Sequence, residues 1–417
     1  MGVWLAVVFT VVVYVPPLIS ALRPAIDADA WWHMSVGKWV VEQGTVPSLD
    51  PFSAYGQSRP WVAYSWIFGV LMYGVHAWLG LAGLLVLRVL LALAATAALH
   101  RLALRQQPRF LAASGLALVA SGLISILASE RPWLFTIIFG ALTLEVILDL
   151  REGRRRWTFW ALPVVYCLWA NLHIQFIYGL FFLGLAGLAA LLDRHLLRRL
   201  GTGQADTAWT PAWWRLSFLG LACTLATLLN PYGYRIYEVV LEYGSQPTPF
   251  RLIAELMSMN FRGPAALVHW GVLTVTLVCV FCLGRKRDLS AFDVLLLAGA
   301  IFFCFRAQRD LWMVVLAALV LLPRLGQAEP DVRLSLAPML LAGMLVLGLA
   351  DGLAWLKGLD ETRLRQSEAA LYPAQALDWL RQHPQRGPMY NHLNWGGYLI
   401  WNFPEFPVSM DGRTNLH

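Results

Sequence analysis

The chain has 417 residues, 58% of them hydrophobic and only 14% charged, with 32 Lys and Arg against 25 Asp and Glu for a net charge of +7. A water-soluble domain carries roughly 25% charged residues, so the composition excludes an ordinary soluble enzyme. The basic excess lies in short stretches between apolar runs, the pattern that orients membrane proteins, and not in a patch suited to nucleic acid.

Apolar runs near the spanning length of about 20 residues recur along most of the chain, and many of the 20 tryptophans flank them as interfacial anchors do. The predicted class is an all-α polytopic membrane protein with eleven spans, at 3–21, 80–99, 110–128, 132–150, 158–172, 174–192, 215–229, 264–283, 290–305, 311–323 and 335–356. The first run has no basic region before it and no small-residue cleavage site before Arg23, so it reads as a retained span and not a signal peptide. The five cysteines all lie in apolar runs, with no metal-binding or disulfide spacing.

A long outer loop, 22–79, follows the first span. Within it, 30–43 places Trp32, Val36, Trp39 and Val40 on one helical face with His33, Lys38 and Glu42 elsewhere, which predicts a helix lying in the membrane interface. Gly44 and Pro47 end it, and Asp50-Pro51 begins a turn. The apolar stretch 61–79 reads as a second interfacial helix. If it does not cross, the basic loops at 101–109, 151–156, 194–215, 285–287 and 324–333 all fall on one side, which must be cytoplasmic. The amino terminus is then inside and the tail outside. From 357 the chain is polar and mixed, with a helix near 373–383 and a strand-like Tyr-Leu-Ile-Trp at 398–401. That predicts a small α/β outer domain over 357–417, which stops at Asn415-Leu416-His417 without a finish, so a natural chain extending beyond His417 is expected.

This topology collects the unusual polar residues on the outer face. Asp27 and Asp29 end the first span; an ionised Asp in hydrocarbon costs about 3 kcal/mol, so they are either solvated at the headgroups or functional. Glu130-Arg131 joins two spans, either as a headgroup pair or with Arg131 on a donor phosphate. Asn171 and His173 lie between spans with almost no loop, either packed or binding phosphate and sugar hydroxyls. In "FRAQRD", Arg306 and Arg309 share a helical face at an outer span end, where orientation does not call for arginine. They are phosphate-binding candidates, with pairing to Asp310 as the alternative. Arg88, in mid-span, either snorkels or pairs internally. In the loop 230–263, Tyr232, Tyr234 and Tyr237 either stack on sugars or form an aromatic belt, and Glu255 is the carboxylate to test. Asp411 and Arg413, in "MDGR", read as closing a turn.

A first span, an acidic motif in a long outer loop, many further spans and an outer tail resemble the glycosyltransferase-C superfamily, which uses polyprenyl-linked sugars. The stretches "DADAWWHMSVGKWVVEQGTVPSLDPFS", "SERPWLFT" and "NWGGYLIWNFPEFPVSMDGR" also resemble a set of bacterial membrane proteins of this type. The resemblance covers the architecture of the whole chain but, in motif, only these patches. It implies that Asp29 is the catalytic base beside Asp27, with Arg306, Arg309, Arg131 and His173 around a donor phosphate. His33, Trp32 and Asp50 would line the substrate from the first loop, and Glu130, Asn171, Tyr232 and Glu255 from later ones. It further implies a polyprenyl-phosphate sugar as donor, a glycan, lipid or protein as acceptor, and the bacterial plasma membrane as location. Mg2+ or Mn2+ on Asp27 and Asp29 is open; only one carboxylate, Glu130, stands where oligosaccharyltransferases have a second acidic pair. The other readings are a non-catalytic polyprenyl-glycan flippase, which would need ionisable residues in mid-bilayer, and a degenerate assembly partner.

Overall fold

The structure is a computed structural model that describes residues 2–57, 59–154, 157–200, 213–285, 290–322, 336–385 and 389–413. Among these residues every regular element is helical, and extended pairing is limited to two isolated bridges, Leu49 with Pro60 and Ser53 with Val408. Seven helices are long and apolar enough to cross a membrane. They are α1 (Val3–Ala21), α3 (Trp66–Gln106), α4 (Phe110–Ile124, carried on by a short turn), α5 (Trp133–Arg151), α7 (Phe176–Leu200), α11 (Ala266–Gly284) and α14 (Leu336–Leu356). Shorter apolar helices stand at the other four expected spans: α6 (Thr158–Leu172), α8 (Trp213–Thr227), α12 (Ala291–Arg306) and α13 (Trp312–Leu321). Every residue of α13 is buried. It packs against α3, α4, α5, α11 and α12, so neighbouring helices shield its ends and it needs no full bilayer length.

The stretch 61–79 is helical from Trp66, and Gly80, whose φ of 62° and ψ of −153° suit a residue without Cβ, separates it within α3 from the span that follows. Two expectations are corrected. The helix of the first loop, α2 (Ala28–Gln43), does not lie on a surface with one face exposed. Residues 30–37 are buried all round, between the first half of α3 and the tail. The close crossing needs two glycines, because a methyl at Gly37 would overlap the Gly69 carbonyl. Finally, Tyr398-Leu399-Ile400 is not a strand. It lies in α17 (Leu393–Asn402), a helix that buries these side chains against α2, where tertiary packing overrides their strand preference. The tail is therefore helical, with α15 (Glu361–Leu371) and α16 (Ala374–Gln382) preceding α17.

Charge arrangement matches the division into two ends. At the end opposite α2, Arg101, Arg105 and Arg151 are bound to Glu145, Asp149 and Asp293 at 2.9, 2.6 and 3.0 Å, so these arginines also tie α3, α5 and α12 together. The basic residues of 155–156, 286–287 and 324–333, and the terminal 415–417, lie outside the described residues.

Candidate functional site

The helix α2 begins by capping itself. The Asp27 carboxylate accepts a hydrogen bond from the Asp29 N–H at 3.0 Å, and Gly44 closes the other end in the left-handed region. This start is fixed from below by a buried ion pair. Glu130 is 2.8 Å from the Arg88 guanidinium, and its other oxygen accepts from the Asp27 N–H at 3.3 Å. Arg88 also donates to the carbonyls of Ala25 and Arg23. Of the two readings of Arg88, internal pairing is the one observed.

Arg131 is the centre of the site. Its Nε is 2.9 Å from Asp27, and one Nη is 3.0 Å from Asp29 and 2.6 Å from Glu255. Burial pulls the guanidinium down, but Asp29, Asp27 and Glu255 together hold it well above its usual range. Glu255 also approaches Arg309 at 3.5 Å. Around these groups is a chamber of about 60 Å3 lined by Asp29, Trp32, His33, Tyr64, Ser65, Arg131, Trp133, His173, Tyr243, Glu255, Arg309 and Gly412. Segments far apart in sequence meet here: the start of α2, the stretch before α3, the turn before α5, the α6–α7 turn, the loop before α11, the α12–α13 turn and the tail.

Burial dominates the electrostatics. The Asp29 side chain is 19% exposed, and it lines the chamber. Its carboxyl is raised to about 7, chiefly by burial; Arg131 lowers it, Asp27 and Glu255 raise it, and the nearby Trp32 indole steadies the anion. His33 and His173 are driven well below the ordinary imidazole value, first by burial and then by neighbouring positive charge, so both are neutral. His173 Nδ1 shares a hydrogen bond with Thr136 at 2.8 Å. Three buried polar atoms of the lining, His33 Nδ1, Ser65 Oγ and Arg309 Nε, have no hydrogen-bond partner among the described residues. Buried polar groups are ordinarily satisfied, so their concentration here makes the chamber a candidate binding site.

Beside the chamber is a second cavity of about 260 Å3, lined largely by apolar side chains of α7, α9 (Arg235–Ser245), α10 (Thr248–Leu252) and α12, among them Ile177, Phe181, Phe250 and Phe303. Tyr243, Leu256 and Arg309 belong to both. Arg306 lines the apolar cavity and stacks on Phe250 at 4.3 Å, while Asp310 accepts from Tyr178 at 2.6 Å and from Gln175 at 3.1 Å. No carboxylate pairs with Arg306 among the described residues.

Of the expected site residues, Asp29, Trp32, His33, Arg131, His173, Glu255 and Arg309 share the chamber, Asp27 holds its arginine, and Arg306 lines the adjoining cavity. Arg131 is engaged by three carboxylates, which leaves it the role of holding Asp29. The other four expected residues do not line the chamber. Asn171 accepts from Trp66 and donates to the carbonyls of Cys167 and Leu229. Tyr232 donates to Pro47 O and accepts from the Ala63 N–H, which fastens the first loop. Glu130 is fully buried on Arg88, and Asp50 is fully buried on Arg413. The sequence reading missed Tyr64, Ser65, Tyr243 and Gly412; only the Asp-Gly-Arg turn around Gly412 carried any local signal. The carboxylates do not fit a divalent ion. Asp27 and Asp29 both point at the Arg131 guanidinium, which stands where a cation would, and no cluster of three or more His, Cys, Asp or Glu is arranged for a metal among the described residues.

In comparisons with known proteins, no family model matches the chain, and no curated protein matches it.

Proposed function

We propose that the chain is an inverting membrane glycosyltransferase that moves a sugar from a polyprenyl-phosphate donor to a cell-envelope acceptor at the non-cytoplasmic face of a bacterial plasma membrane, within the eleven-span arrangement read from the sequence. One observation carries this reading: a polar chamber with a perturbed carboxylate adjoins an apolar cavity, with Arg309 in the lining of both and Arg306 in the apolar one. A ligand matching that pair of spaces has a polar, hydroxyl-bearing head, an anionic joint and a hydrocarbon tail. The unpartnered His33 Nδ1 and Ser65 Oγ can meet hydroxyls of that head.

The chemistry follows from these positions. Ionised Asp29 takes the proton from an acceptor hydroxyl as its oxygen bonds to the anomeric carbon, and the bond from that carbon to the phosphate oxygen breaks. The electron pair leaves with the phosphate, whose charge Arg306 and Arg309 Nε receive. A base whose acid is held near 7 is matched to neutral pH. In proteoliposomes supplied with a polyprenyl-phosphate hexose and membrane acceptor, Asp29→Asn should reduce transfer at least about 100-fold. Transfer at the wild-type rate would end the assignment.

A further inference from the structure

The polar tail residues not used by this mechanism converge on its base. Residues 408–413 run back across the first outer loop. Val408 exchanges backbone hydrogen bonds with 52–54, at 3.2 and 2.8 Å, and the Asn391 side chain holds Ser409 and Met410 at 2.9 and 2.7 Å. Gly396 of α17 lets this segment lie flat, since a methyl there would overlap Met410 O. Arg413 then anchors it with no exposed side-chain surface. Its guanidinium donates twice to Asp411, at 2.8 and 2.6 Å, and once to Asp50 at 2.6 Å, between the rings of Phe52 and Trp61 at 5.0 and 4.7 Å. Asp50 is held in turn by Ser53 and the Phe52 N–H. The residue this anchor fixes in place is Gly412, which lines the chamber so closely that a methyl would overlap Asp29 Oδ1.

We infer that residues 411–413 form a fixed roof over one side of Asp29, and that Arg413 is a positioning residue whose buried lock keeps further water from that side of the carboxylate. The inference deepens the proposed function but rests on it only for its catalytic meaning. An unpaired buried charge is too costly for Arg413 to leave its two carboxylates readily, so the roof is a wall of the chamber and not a lid. The absence of a side chain at 412 is what lets backbone cover Asp29 without displacing it.

The groups facing Asp29 are Asp27, Trp32 and His33 of α2, Arg131 before α5, His173 after α6, Tyr243 of α9, Glu255, Arg309, and Tyr64 of the first loop. Arg413 is not among them. Loss of its positive charge could only favour the protonated acid, whereas entry of water favours the anion. The two effects have opposite signs, so the experiment can separate them. An apolar carbodiimide labels protonated, shielded carboxyls; labelling of Asp29 in the detergent-solubilised full chain, followed by peptide mass spectrometry across pH, reads its protonation without any substrate. Wild-type labelling should fall with a midpoint near pH 7. In Arg413→Gln the midpoint should drop by about one pH unit or more. Arg413→Lys keeps the charge but loses the fork, and should give a smaller shift of the same sign. An unchanged or raised midpoint in Arg413→Gln overturns the roof; if that variant does not fold, an unchanged midpoint in Arg413→Lys does so. Either result leaves the transferase proposal standing, because that proposal falls only if Asp29→Asn still transfers sugar.

Discussion

Glu255→Gln isolates one charge acting on the proposed base. The same Arg131 nitrogen is 3.0 Å from Asp29 and 2.6 Å from Glu255, so the two carboxylate oxygens are no farther apart than about 5–6 Å. Both side chains are partly exposed, at 19% and 27%, so an effective dielectric of about 40 is appropriate, between surface and water values. Coulomb repulsion is then about 1.5 kcal/mol, which is about one pH unit in the Asp29 midpoint. Removing Glu255 also leaves more of the Arg131 charge to Asp29, with the same sign. The midpoint should therefore fall from near 7 to near 6, measured by carbodiimide labelling of Asp29 or by the acidic limb of the transfer rate. A midpoint that stays put or rises would refute the electrostatic account, because it would mean that Arg131 and burial alone set the Asp29 acid.

Two further outcomes follow from the same geometry. Arg306→Ala should weaken binding of a polyprenyl phosphate about 10-fold in a fluorescent-lipid competition assay and leave Asp29 labelling unchanged, since this arginine lines only the apolar cavity; unaltered lipid affinity would remove it from the donor site. Glu130→Gln should destabilise the protein by about 3–5 kcal/mol in denaturant unfolding, because Arg88 is then left buried in the bundle without its counter-charge. A loss under about 1 kcal/mol would show that the carbonyls of Ala25 and Arg23 suffice to hold it.

The site was legible where side-of-membrane reasoning reached it. Glu255, His173 and Arg309 have no local motif in common, but the placement of the arginine-rich loops put all three at one end of the bundle with Asp29, and there they meet. The cost of charge in hydrocarbon and the spacing of apolar runs suffice for that placement. Neither assigns partners within the cluster. Arg131 and Asp27 are 104 residues apart, and nothing local announces that three carboxylates would share one guanidinium. The pairing of Asp50 with Arg413 spans 363 residues, so Asp50 read as a substrate ligand and Arg413 as a turn residue. The amphipathic reading of α2 failed for a related reason: α17 covers the face with Trp31 and Lys38, while α3 packs on the side of His33, which belongs to the chamber. Strand preference in Tyr-Leu-Ile-Trp was outweighed by the same contact.

Asp29 also makes a claim about stability, and its sign separates a structural carboxylate from a catalytic one. In the unfolded chain its acid lies near 4, and in the folded protein near 7. Folding therefore favours the protonated form, and the associated stability is present below about pH 4 and lost as pH rises through 7. Linkage bounds the loss at about 4 kcal/mol for a shift of this size; discounted for the carboxylate's exposure, it is on the order of 2 kcal/mol. Asparagine has nearly the same shape and does not titrate. In denaturant unfolding, Asp29→Asn should exceed the wild type by about that amount at pH 8, and the gap should close towards pH 5. If Asp29 were retained chiefly as a partner for Arg131, the substitution would instead destabilise, and most at pH 8, where the ion pair is complete. Arg131 keeps Asp27 and Glu255 in either case, so its own desolvation does not decide the sign. A carboxylate that weakens the fold at the pH where it is ionised is held there for what the anion does, and removal of the acceptor's proton is the use the chamber offers it.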